Sequence, residues 1–225
     1  MTEYVTVGTA VIAYIEPHEG RARAFNAWYE RDHFYAAAMA GPGCYAGARW
    51  VATRDCKESR TEGWLFGDNA VGSYLATYWI LPGKQEEWDE WIAREYGSMP
   101  PERLFAARDH LHTAVYDFAW DSRADGAPIP ATALDHGFAG VVVTGWTDGG
   151  AAREWAEWII DAEVPLVMAF SPQRTIMSAA NPPPHKLVLA FTRMDPRLTP
   201  LPLDAEYGSA FLATIPGTDT YVDEL

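Results

Sequence analysis

The chain has 225 residues, with 17 Lys and Arg against 31 Asp and Glu, a formal net charge of -14. That charge repels nucleic acid and anionic membrane surfaces at long range, so neither is an expected partner. A hydrophobic fraction of 48% with 21% charged residues excludes a largely disordered chain and allows one large domain or two small ones, each with its own core.

Met1-Thr2-Glu3-Tyr4 lacks the features of a secretion signal, and no apolar run is long enough to span a bilayer, so a cytoplasmic location is expected. Val5 to Ile15, rich in β-branched residues and ended by Glu16-Pro17, predicts a first strand. Gly20 to Ala40 predicts a helix with Phe25, Trp28, Tyr29, His33, Ala36 and Ala37 at helical spacing, stopped by Gly41-Pro42-Gly43. Cys44 to Thr53 predicts a second strand. Cys44 and Cys56 are the only cysteines and form neither a paired metal motif nor a disulfide framework, so both are expected as reduced thiols.

Arg54 to Asn69 is polar and predicts an exposed loop or irregular excursion. Gly72 to Leu81 predicts a third strand, and Lys84 to Tyr96 a helix with Trp88, Trp91, Ile92 and Tyr96 on one face. A short helical piece from Pro101 to Ala107 and a strand from His110 to Trp120 complete the order β-α-β-β-α-β, the ferredoxin-like split unit. Asp121 to Ala133 then predicts a linker.

A second cycle follows: strand Phe138 to Trp146, helix Ala151 to Met168, strand Gln173 to Ala180, and strand Lys186 to Met194 beyond Pro182-Pro183-Pro184. Ala210 to Ile215 is a candidate last strand in a proline-rich tail. The expected class is therefore α+β, with a first ferredoxin-like unit over 1–120, a linker over 121–135 and a second, degenerate unit over 136–225. An internal repeat agrees: Phe25-x-x-Trp28 followed by His33 aligns at the same spacing with Trp155-x-x-Trp158 followed by Glu163.

Several residues could carry chemistry. His33 shares a helix face with Phe25 and Trp28 and should point toward the sheet, where an imidazole can act as acid or base near neutral pH. His110 and His112, two apart on a strand, should project from one face with Tyr116, Phe118 and Trp120. A metal there would need a third ligand that no motif supplies. Arg49 lies in a strand after small residues and calls for an acid, such as Asp32 or Glu30, or a substrate oxygen. Tyr74, Tyr78 and Tyr116 can donate phenolic hydrogen bonds, although aromatic packing accounts for each of them equally. Gly145 to Gly150 lacks both the dinucleotide and the P-loop pattern, and no G-x-S-x-G elbow occurs.

The stretch Phe25-Asn26-Ala27-Trp28-Tyr29-Glu30-Arg31-Asp32-His33, followed by Gly41-Pro42-Gly43 and a strand carrying Arg49, resembles the EthD-like branch of the dimeric α+β barrel superfamily. The resemblance implies a barrel of two ferredoxin-like units, here in tandem within one chain where such proteins usually pair two chains. The superfamily spans polyketide cyclases, isomerases, cofactor-free monooxygenases, stress proteins and haem-binding branches.

The leading expectation is an enzyme without a cofactor that acts on an aromatic or polycyclic carbonyl compound by proton transfer, in a cyclisation, isomerisation or elimination, with a cofactor-free monooxygenase as the next choice. His33 and His112 would move the proton, Tyr78, Tyr116 and Arg49 would hold the developing enolate oxygen, and Trp28, Tyr29, Tyr74 and Phe118 would form the substrate wall. The expected partner is a small apolar or aromatic molecule, and association into a homodimer stays open. The alternatives are a non-catalytic ligand-binding or stress-response barrel, and a barrel holding haem on a histidine.

Overall fold

Eight strands close into one antiparallel barrel in the computed structural model, which describes residues 5–147, 149–180, 182, 185–219 and 221–225. The readings on Met1–Tyr4 and on Pro183 and Pro184 lie outside those residues. The first half contributes β1 (Thr9–Pro17), β2 (Cys44–Val51), β3 (Tyr74–Ile80) and β4 (Arg108–Arg123). The second contributes β5 (Gly140–Trp146), β6 (Leu166–Ser178), β7 (Lys186–Thr192) and β8 (Tyr207–Ala213). Around the barrel they run β1-β3-β2-β8-β5-β7-β6-β4. Each half therefore repeats the order fourth-first-third-second of a ferredoxin-like unit, as the sequence predicts.

The helices lie outside. The first helical run begins as α1 (Ala22–Trp28) and continues through two widened turns, Tyr29–His33 and Tyr35–Met39. In these the Phe34 N–H donates to the Tyr29 carbonyl and the Ala40 N–H to the Tyr35 carbonyl, five residues back. Such π-type turns are uncommon and occur often at functional sites. α2 (Arg54–Glu58) is short, α3 (Gln85–Ser98) packs beside the second widened turn, α4 (Pro130–Ala133) is a single turn, and α5 (Gly149–Ile159) covers the second half. Gly41 lets the second widened turn and α3 approach, because a Cβ there would lie 2.4 Å from the Trp88 ring. Among the described residues, no helix is long and apolar enough to cross a membrane.

Strands such as β1 and β3 are buried almost throughout because both faces are covered. One face fills the barrel with Tyr14, Trp50, Trp79, Phe170, Phe191 and Phe211, while the other meets the helices. Each large apolar side chain so buried stabilises the fold by roughly 2 to 3 kcal/mol.

The two seams between the halves are unequal. β4 and β6 pair from His112 opposite Ser178 to Arg123 opposite Leu166. β2 and β8 pair only at Trp50 opposite Ala213 and Val51 opposite Leu212.

The structure corrects several expectations. The helix expected over Ala151 to Met168 ends at Ile159, and Met168 belongs to β6. Glu163 consequently lies past the helix rather than on it, and Trp158 is 69% exposed while Trp155 is buried, so the two copies of the repeat differ in environment. Arg54 to Asn69 is not simply exposed: it carries α2 and buries Cys56, Arg60 and Trp64. β4 runs through to Arg123, past the expected start of the linker. Among the described residues, the second half has no counterpart of α3. Residues 193–206 carry Pro196, Pro200 and Pro202, which cannot sit inside a helix, and make only a short turn at Pro196–Leu198.

Candidate functional site

The first widened turn brings Tyr29 and His33 to the inner side of the helix, both buried against the outer face of the barrel sheet. The His33 ring stacks on Trp28 at 4.2 Å between centroids and meets Tyr29 edge-on at 4.9 Å. Its Nε2 lies 3.1 Å from the Tyr96 hydroxyl of α3, and its Nδ1 is buried without a partner. The Tyr29 and Tyr78 hydroxyls are 2.8 Å apart.

A cavity of about 320 Å³ opens beside these groups, at the lower end of the range for small-molecule pockets. Tyr29, His33, Tyr78, Tyr96, His110 and Thr113 supply its polar groups, and Val11, Ala13, Trp88 and Ile92 are among its apolar ones. Arg174, ion-paired with Asp89, and the exposed Ile176 and Met177 stand at its edge on β6.

The proton inventory of the cavity decides what it can bind. Of the two protons in the Tyr29–Tyr78 pair, one is used in the pair and the other remains. His33 and Tyr96 likewise use one of their two. If Tyr96 donates to Nε2, the spare proton is on the buried Nδ1; if Nε2–H donates to Tyr96, the phenol proton is spare and Nδ1 carries a free lone pair. The Thr113 hydroxyl, also buried, has no partner either. The cavity therefore holds unused O–H or N–H protons at both pairs and at Thr113, which can serve a ligand oxygen that accepts two hydrogen bonds.

The electrostatics agree. Burial, then the charges of Arg108, His110 and Arg49, push His33 down to about 3. Burial and Arg108 push His110 down to about 4. Both rings are neutral at pH 7. Burial raises the phenols of Tyr29, Tyr78 and Tyr96, with Arg49 opposing it at the first two and Arg108 at the third. Arg108 sits 4.7 Å over the Trp28 ring, its Nε buried without a partner. Asp89 offsets Arg174 at the cavity edge and Glu30 offsets Arg49 behind the wall, so Arg108 is the cation near His33 that has no carboxylate partner among the described residues.

Arg49 stands behind this wall. Its guanidinium lies 4.4 Å over the Tyr29 ring, donates to the Asn26 amide oxygen at 2.7 Å and pairs with Glu30 at 3.2 Å. Glu30 is thus the acid that the sequence calls for, while Asp32 pairs instead with Arg103. Tyr74 is buried against Phe25 at 5.0 Å and does not line the cavity. Trp28 backs His33 and donates its indole N–H to the Arg103 carbonyl at 2.7 Å.

The expected single face for His110, His112, Tyr116 and Phe118 is corrected by a bulge. β1 and β4 lose register between Tyr14 and Ile15, where Leu111 is the extra residue, so His112 stands opposite Tyr14 and His110 opposite Ile15. A bulge of one residue turns everything beyond it to the other face. His110 reaches the cavity outside the barrel. His112 faces inward beside Tyr14, its Nδ1 3.0 Å from the Ser178 hydroxyl. Tyr116, opposite Ala10, and Phe118, against Phe170, are inside as well.

The structure thus brings together His33, Tyr29 and Tyr78, with Arg49 and Trp28 directly behind, and separates them from His112, Tyr116 and Phe118. Sequence reasoning missed Tyr96 and Arg108. Tyr96 is the last member of the apolar stripe on α3, and nothing local marks its hydroxyl as paired. Among the described residues, no three His, Cys, Asp or Glu side chains gather to hold a metal ion. The cavity at His33 does not fit a haem iron, because His33 gives Nε2 to Tyr96 and the space is small for a porphyrin.

No protein-family model matches the chain, and no curated protein matches it. Solved structures do. An anthrone oxidase-like protein is 8% identical, with 94% of each chain covered and a TM-score of 0.56. A DypB variant in complex with manganese is 10% identical over 92% of this chain and 93% of that one, with a TM-score of 0.52. A chlorite dismutase-like protein is 9% identical over 98% of this chain and all of that one, 100%, with a TM-score of 0.51. At such identities the likeness is one of architecture, and the fold of this chain is that of the dimeric α+β barrel proteins.

Proposed function

We propose that the protein is an enzyme that binds a flat aromatic carbonyl compound in the cavity between the first helical run, α3 and the sheet, and removes a proton made acidic by that carbonyl. The observation that carries this is the pair of unused protons around His33, one from each hydrogen-bonded pair, available to an oxyanion beside an imidazole whose Nδ1 has no partner among the described residues. With Nε2–H donating to Tyr96, Nδ1 accepts the substrate proton. The C–H bonding pair moves into the ring system, and the carbonyl oxygen becomes an enolate oxygen that accepts hydrogen bonds from the Tyr29–Tyr78 pair and Tyr96.

A base held down to about 3 is weak in the empty site. The imidazolium and the enolate form together, however, and each stabilises the other in a place shielded from water. Return of the proton to another carbon gives an isomerisation. Attack of the enolate within the same molecule gives a cyclisation, and the same anion is the form of such a compound that reacts with dioxygen. The reading leaves His112, Tyr116 and Phe118 outside the chemistry and gives Arg49 a positioning role through Tyr29.

An anthrone, the compound class in the name of one structural relative, is a tricyclic ketone whose methylene protons exchange through such an enolate. The test is deuterium exchange at that methylene, followed by NMR without oxygen. We expect exchange well above buffer, reduced about a hundredfold or more by His33→Gln and unchanged by His112→Gln. Exchange at the buffer rate, or exchange indifferent to His33→Gln and Tyr78→Phe together, would refute the reading.

A further inference from the structure

The short seam between β2 and β8 has a specific cause. Thr214 donates its backbone N–H to the Arg49 carbonyl at 3.1 Å, one step beyond the paired residues Trp50 and Ala213. Alternation then turns the N–H and C=O of Gly47 toward β8 as well, and the continuing register would set Gly47 opposite Pro216. Proline has no N–H to give. The chain turns away there, and the Gly217 N–H goes instead to Glu30 at 2.8 Å. The edge of β2 at Gly47 is left without a neighbouring strand among the described residues.

A second cavity, about 300 Å³, occupies the gap. Its floor is aromatic, formed by Trp50, Trp79, Phe138 and Phe191, with ring centroids 5.2 to 6.0 Å apart where they touch Phe191. Ala48 and the turn at Gly137 close its sides. The geometry points to a second ligand site in this slot, for a small planar aromatic molecule that carries a hydrogen-bond donor and an acceptor on one edge, as a bicyclic lactam does. The rings stack on the flat faces of the ligand, and its edge takes the place that a strand residue would take against Gly47. The inference is independent of the proton-transfer reading, because the two cavities lie on opposite sides of Arg49 and Tyr29 and share no lining residue.

The test uses 2-quinolone as probe and the full chain, with binding read by tryptophan fluorescence and by protein-observed NMR. We expect saturable binding that weakens at least tenfold in Ala48→Phe, which fills the slot, and in Gly137→Trp, where the position opens into free space. Ile92→Trp, which fills the first cavity, should leave it unchanged. Using two blocking variants guards against one that fails to fold. Binding lost in Ile92→Trp but kept in both blocking variants would overturn the proposal by placing the probe in the first cavity, and no saturable binding to the parent protein would overturn it outright.

Discussion

The Tyr96 hydroxyl is 3.1 Å from Nε2 of His33, and among the described residues it is the one hydrogen-bond partner that ring has. α3 therefore sets the orientation of a side chain that the first widened turn supplies. Replacing Tyr96 with Phe leaves both ring nitrogens buried and unsatisfied. We expect a stability loss of about 1 to 2 kcal/mol, together with a fall in kcat of at least tenfold and little change in KM for any substrate turned over in this cavity. Urea denaturation and steady-state kinetics on the same variant separate the two effects.

Acid should unfold this protein through its histidines. His33 and His110 are held down to about 3 and about 4 in the folded state, against about 6.5 in an unfolded chain. As pH falls below about 6.5 the unfolded chain takes up protons that the folded one refuses. Stability is thus complete above that value and declines toward pH 4, by up to about 1.4 kcal/mol per pH unit for each group. Melting temperatures from pH 7 to 4.5 should trace that decline, and a His33→Gln, His110→Gln double variant should flatten it. An unchanged acid limb in the double variant would show that other groups govern it.

Glu30 neutralises a guanidinium that is almost wholly buried. Glu30→Gln keeps the shape and removes the charge, so it should cost about 3 kcal/mol by leaving Arg49 uncompensated. Exchanging both partners, as Glu30→Gln with Arg49→Met, should cost less than the sum of the single changes. A double-mutant cycle by chemical denaturation gives the coupling, and strict additivity would mean that the pair contributes nothing.

Arg60 is a buried cation held by neutral groups. It donates to the Ser209 hydroxyl at 2.9 Å and to the carbonyls of Asn69, Val71 and Gly72 at 2.6, 2.6 and 2.8 Å, and it lies 4.0 Å over the Trp64 ring. Arg60→Met retains the stem but takes the guanidinium donor from the Asn69 and Gly72 carbonyls, while that of Val71 keeps the Trp64 indole N–H at 3.1 Å. The expected loss is about 3 kcal/mol or more, read as a fall in the urea midpoint. A loss below 1 kcal/mol would mean that water replaces the guanidinium.

Much of this was legible in the residues. Period-two runs of β-branched and aromatic residues gave seven strand positions closely, and Phe25, Tyr29 and His33 lie buried on the face of the first helical run where their spacing put them, with Trp28 half-buried beside them. What failed depended on partners distant in sequence. Arg60 looked like a surface residue because its carbonyl partners and Ser209 come from other parts of the chain. His110 and His112 looked coplanar because a bulge has no local signature here. The β-strand of Leu166 to Phe170 hid inside an apolar run that a helix could equally have used, and only pairing with β7 and β4 decides between them.

The unequal seams make the barrel a book with one sewn edge. β4 and β6 bind the halves along nearly their whole length, whereas at the opposite edge the ladder is confined to Trp50, Val51, Leu212 and Ala213, with the Thr214–Arg49, Gly217–Glu30 and Arg60–Ser209 hydrogen bonds beside it. Opening along that edge breaks few ladder bonds and leaves the sewn side intact. The amides of β8 near Leu212 should then exchange with solvent far sooner than those of β4 near Val115, and the aromatic interior would meet water first through the gap that Pro216 keeps open.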